Sequence, residues 1–95
     1  MSKEDYILAR VAIKSVTLDF EKLGDSEGLK DVLQQIDGID HGLEMRLNTL
    51  GISTLKQLSR MDDDLSDDVN DAIEYMPGRI RRQLWSEQAK ILLGK

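Results

Sequence analysis

The chain has 95 residues, 40% hydrophobic and 33% charged, with 18 acidic residues against 13 Lys+Arg and a formal net charge of −5. It has no cysteine, which excludes a disulfide framework, a cysteine-ligated zinc site and a thiol nucleophile. No apolar run is long enough to cross a bilayer and no basic-then-apolar leader stands at Met1, so the cytosol is the expected compartment.

The spacing of Ala9, Ile13, Val16, Phe20 and Leu23 predicts a first amphipathic helix over 2–23, with Arg10, Lys14, Thr17 and Glu21 on its polar stripe. The β-branched Val11, Ile13, Val16 and Thr17 raise a strand alternative, but a strand would mix apolar and polar residues on both faces after Lys14. Ser2 can cap this helix, Glu4 and Asp5 suit its first turn, and Gly24 ends it. Tyr6, Leu8, Val11 and Leu18 spill outside the main stripe. A helix apolar on more than one side is either central to a bundle or part of an interface, and both readings stay open here.

A second, short helix is expected over 27–36, with Leu29, Val32, Leu33 and Ile36 on its apolar face. A turn follows at residues 37–42. A third helix carries Leu43, Leu47 and Leu50 and stops at Gly51, where Ile52 supplies the apolar contact of a Schellman ending. A fourth begins at Ser53 or Thr54, with Thr54 and Gln57 spaced as a capping box, and carries Leu55, Leu58 and Met61. Asp62, Asp63 and Asp64 favour the N-terminus of a fifth helix, with Leu65, Val69, Ala72, Ile73 and Met76 as its buried stripe. Pro77-Gly78 breaks it. A final helix carries Ile80, Leu84, Trp85, Ile91 and Leu92, with the lone Trp85 expected in the core. No turn dipeptide sits between alternating runs, so no sheet is expected. The fold class is all-α: a compact bundle of five to six short helices, read as an N-terminal amphipathic helix over 1–24 and a second region over 25–95 within one structural unit.

Charge is unevenly spread. Residues 60–78 hold seven acids against Arg60 alone, and residues 79–95 hold Arg79, Arg81, Arg82, Lys90 and Lys95 against Glu87 alone.

The stretch from Ile36 to Leu47 (Ile-Asp-Gly-Ile-Asp-His-Gly-Leu-Glu-Met-Arg-Leu) resembles a helix-hairpin-helix motif: an apolar residue, any residue, Gly, an apolar residue, Gly, then a helix. Ile36, Gly38 and Ile39 carry the match. Beyond it, residues 47–58 look like the Leu-Gly-Ile, Thr passage that follows such hairpins, and Pro77-Gly78-Arg79-Ile80 with Trp85 and Gln88-Ala89-Lys90 is similar to the end of a small helix-hairpin-helix-like domain. That domain occurs in bacteria as a tail on respiratory-chain subunits and some ribosomal proteins. The resemblance covers about 29–93 and implies a SAM-like all-α fold with the hairpin at 29–50. In members that bind DNA, the start of the second helix holds a backbone phosphate without reading bases. Here Asp40 stands where that pattern has its second Gly, and Glu44 where a small residue is frequent. A carboxylate at this mouth caps the free N–H groups itself and repels a phosphate. The acidic balance also argues against bulk nucleic-acid binding.

The candidate phosphate or partner contacts are Gly38, Ile39, Gly42, Arg46, Arg79, Arg81 and Arg82. For the three last-helix arginines, internal pairing with Asp67, Asp68, Asp71 or Glu74 is favoured over an external anion. An EF-hand register starting at Asp62 puts Asp67 where Gly is required and Ile73 where the bidentate Glu is required, so no calcium loop is read there. His41 is alone and no nucleophile–base pair is visible. No catalytic residue, metal or cofactor is therefore expected. The expected function is a non-catalytic module that binds another protein or a second copy of itself, with no membrane and no small-molecule substrate. The alternative is nucleic-acid binding without sequence readout, through the degenerate turn and the arginines.

Overall fold

The computed structural model describes residues 2–94. Among them the chain forms seven α-helices and no strand: α1 (Lys3–Lys14), α2 (Phe20–Leu23), α3 (His41–Leu50), α4 (Leu55–Ser59), α5 (Asp63–Ala72), α6 (Arg79–Arg82) and α7 (Trp85–Leu93). The all-α class is as expected. The caps also fall where the side-chain chemistry puts them. Ser2 and Asp5 cap α1 reciprocally, Thr54 and Gln57 do the same for α4, and Asp62 accepts the Leu65 N–H at 2.8 Å at the start of α5. Gly51 closes α3 at φ +113°, and the buried Ile52 donates its N–H to Leu47 O at 2.9 Å.

Four of the expected helices need correction. The first helix does not run to Leu23; it ends at Lys14 and continues as a 3₁₀ turn over Ser15–Thr17. Ser15 Oγ donates to Ala12 O at 2.8 Å and Thr17 Oγ1 to Lys14 O at 2.7 Å, while Asp19 accepts the N–H groups of Glu21 and Lys22 to start α2 afresh. Such short polar side chains compete with the helical ladder. The buried face differs too. Ile7, Val11, Leu18 and Leu23 enter the core, whereas Ile13 and Val16, expected inside, are 73% and 85% exposed.

The second helix over 27–36 does not form as an α-helix. Glu27 and Gly28 take positive φ, residues 29–32 have no helical structure, and only Leu33–Gln35 closes a 3₁₀ turn. Backbone groups here are satisfied from outside the segment: Asp31 donates its N–H to Ser53 O at 2.8 Å, and Leu33 donates to the Glu44 carboxylate at 2.6 Å. Leu29 and Val32 consequently face solvent, while Leu33 and Ile36 remain buried. The first arm of the hairpin is one tight turn.

The last helix splits at Leu84, whose φ of +57° is left-handed. That conformation costs a β-carbon-bearing residue about 1 kcal/mol. It is offset by the complete burial of Trp85, worth about 2–3 kcal/mol. Leu84 and Ile91, expected on the apolar face, are exposed as a result, and so is Met76 at the end of the fifth stripe.

The core joins Leu33 and Ile36 before the turn, Leu47 and Leu50 of α3, Ile52, Leu58 of α4, Ile73, Ile80 of α6 and Trp85 of α7. α4 packs on α7, α1 on α3, and α5 on α6. Two buried amides tie loops to this core. Gln57 Nε2 donates to the carbonyls of Gly24 and Gly51, both at 3.0 Å, and Asn70 binds Tyr75 O, Met76 O and the Ile80 N–H.

Candidate interaction site

The hairpin turn is anchored by the C-terminal third of the chain. Gly38 has φ +105°, and a β-carbon there would collide with the Gln83 amide, 2.7 Å from its Cδ. Gln83 is not free to yield. Its Oε1 accepts the Trp85 Nε1–H at 2.9 Å, and its Nε2 donates to the Tyr75 hydroxyl at 3.1 Å. The Tyr75 and Trp85 rings stack at 5.8 Å between centroids. Gln88 completes the clamp: its Oε1 accepts the Asp37 N–H at 2.8 Å and its Nε2 donates to Asp37 O at 3.1 Å. Ile39 is buried and donates to Ile36 O, which pins the turn to the core. Glycine at 38 is thus required both by backbone conformation and by the close approach of a side chain.

Past the turn, Asp40 is the N-cap of α3 and accepts the Leu43 N–H at 2.8 Å. The carboxylate thus occupies the mouth of α3. Gly42 stands beside it: a β-carbon on Gly42 would lie 3.5 Å from Asp40 Oδ1. Glu44 turns back across the hairpin, accepting the Leu33 N–H and the Gln34 Nε2–H, the latter at 3.0 Å. These bonds, the Gln34 side chain first, hold its carboxyl below the usual glutamate range. In the sequence Glu44 stands out only as a departure from the DNA-binding pattern. No local signal marks it as the clasp of the first arm, because the Leu33 N–H that it accepts lies 11 residues away and is left open only where residues 29–32 are not helical.

The arginines do not form one patch. Arg46 is 17% exposed at its side chain and is taken up within the fold. It forks onto Glu4 of α1, both contacts at 3.0 Å, and donates to Ile73 O at 3.1 Å. Arg81 bridges Asp63 and Asp67 of α5 at 3.2 and 3.3 Å. Of the expected partners, Asp67 takes part. Glu74 instead receives Arg10 in a two-point contact, 2.8 Å each, and Lys14 at 3.1 Å. Those hydrogen bonds, Arg10's first, lower the Glu74 carboxyl to about 2. Arg82 donates to Pro77 O at 2.9 Å and Arg79 lies against Met76 Sδ; among the described residues neither meets a carboxylate. Nor do those residues include a group of three or more His, Asp or Glu side chains placed to hold a metal ion. The Asp62–Asp68 run forms the cap and first turns of α5.

A glycine turn between two apolar anchors, clasped across its two arms and followed by a capped helix, defines an all-α helix-hairpin-helix domain. A family model described as the RS2/RL21/YNQ2 HHH domain matches residues 33–93, well over half of the chain, and the chain belongs to that family. α1 and α2 lie outside the matched residues. No curated protein and no solved structure matches the chain significantly. Domains of the helix-hairpin-helix class often serve nucleic-acid or protein interaction and are generally non-catalytic. Among the described residues no helix is long and apolar enough to cross a membrane.

Proposed function

We propose that this protein is a non-catalytic module that binds another protein in the cytosol. The observation that carries the reading is Asp40 seated on the Leu43 N–H at the mouth of α3. A phosphate entering there would have to displace a carboxylate and then sit beside it. Two further cations that a phosphate backbone would need are spent: Arg46 on Glu4 and Arg81 on Asp63 and Asp67. Large apolar side chains remain exposed on α1, which suits a protein surface. Ile7 and Val11 of the same helix enter the common core, which supports reading 1–24 and 25–95 as one unit.

Arg79 and Arg82, without carboxylate partners among the described residues, favour a second reading: weak nucleic-acid binding without sequence readout, with Gly38, Ile39 and Gly42 shaping the turn. Anisotropy of labelled duplex DNA, single-stranded DNA and RNA separates the two. Flat titrations at low salt are expected from the natural chain, and Asp40→Gly should bind better than it does. Tight binding by the natural chain, falling steeply with salt and abolished by Arg79→Glu with Arg82→Glu, would establish the second reading instead.

A further inference from the structure

Val16 and Ile13 are the most exposed large apolar side chains described, at 85% and 73%. With Tyr6 and Ala9, also exposed, they make a stripe spaced 3-4-3 along the outer face of α1, opposite the Ile7 and Val11 that enter the core, and on into the 3₁₀ turn that carries Val16. A helical partner with the same spacing can interlock with such a stripe. Beside the turn that carries Val16, a cleft of about 290 Å³ opens between α1 and α5. Its lining includes Ala72 and Thr17, and its charged wall is Asp68 and Asp71. Lys14, the cation of that lining, is committed to Glu74. Asp68 and Asp71 form no ion pair among the described residues, unlike Asp63 and Asp67 on the same helix.

Resting on the protein-binding reading above, we infer that the outer face of α1 and the acidic wall of α5 together receive a basic amphipathic helix of a partner protein. Apolar side chains of that helix cover Ile13 and Val16, and its lysines or arginines meet Asp68 and Asp71. Charge selects this occupant. A nucleic acid or an anionic membrane would set phosphates against the two aspartates, and a second copy brings a net charge of −5 to a chain carrying the same charge. The binding mode is a helix laid along a groove, with apolar anchors for affinity and a charged rim for orientation.

Calorimetric titration of the full chain with three synthetic peptides tests this: a leucine–lysine amphipathic helix, its leucine–glutamate counterpart, and a leucine-free lysine peptide of equal charge. Only the first should bind. Val16→Asp and the double change Asp68→Lys with Asp71→Lys should each weaken it on the order of tenfold or more, matching the loss of one good contact. All these positions are at the surface, and unchanged circular dichroism would confirm that the variants fold. Equal binding of the leucine-free peptide, binding that ignores both variants, or no binding at all would overturn the inference. So would concentration-dependent self-association in sedimentation that Val16→Asp abolishes, since the occupant would then be a second copy. If the peptides fail while nucleic-acid anisotropy also stays flat, this surface falls and the protein-binding reading stands; nucleic-acid binding by the natural chain removes both.

Discussion

At the hairpin turn, residues 36–39 are held by neutral amides and by shape, with Gln83 and Gln88 against the backbone and Trp85 and Tyr75 behind them, while the Asp40 and Glu44 carboxylates close the arms on either side. At the seam between α1 and the rest of the chain, charge does most of the tying, through Glu4 with Arg46 and Glu74 with Arg10 and Lys14. The first arrangement tolerates salt but no added atom. The second tolerates changes of shape at the surface but weakens when charge is screened or titrated. The clamp formed by Gln83, Trp85 and Gln88 ties the turn to the C-terminal third of the chain.

The sharpest way to break the comparison is Gly38→Ala. The new β-carbon meets the Gln83 amide and the φ of +105° is strained for any L side chain, so a loss of about 3 kcal/mol or more is expected in urea denaturation, nearly the same at low and high salt. Glu44→Ala is next. It orphans the Leu33 N–H and should cost about 1–2 kcal/mol, with Glu44→Gln recovering part of the loss. Arg46→Ala leaves Ile73 O without that donor and Glu4 without its partner, for a loss of about 1 kcal/mol that shrinks at high salt. A salt-independent loss there would mean that packing, not charge, holds the seam.

Acid should act on the seam through a defined sign. The folded values of Glu4 and Glu74 lie below the ordinary 4.5, chiefly through their arginine partners. Their ionised forms are therefore favoured by folding. That stability is complete above the ordinary carboxylate range and is lost as pH falls through the folded values, for Glu74 about 2. Denaturation followed from neutral pH down should show a steep acid limb, and Glu74→Gln should flatten it. The smallest effect on stability is expected from Val16→Asp, within about 0.5 kcal/mol, because its side chain is already in water.

Much of the fold was legible in local chemistry. Ser2, Thr54 with Gln57, Asp62 and Gly51 each announce a helix end, since a cap depends on residues within one turn of it. The Gly38 turn and the closing action of Asp40 were legible for the same reason. The face buried by α1 was not. Two apolar stripes compete on that helix, and its contact with α3 selects Ile7 and Val11 over Ile13 and Val16. Nor were the partners of Arg46 and Glu74 legible, since each lies on an element distant in sequence from the group it meets.

What the sequence by itself determined is the class of the fold, the main helix ends and the glycine turn, because these follow from spacing and short-range hydrogen bonding. Only the tertiary structure decided that the first arm is a single 3₁₀ turn clasped by Glu44, that the last helix bends at Leu84 to bury Trp85, and which cations stay without a carboxylate. Those outcomes depend on groups brought together from far along the chain. Their energies arise only when the core closes and water leaves.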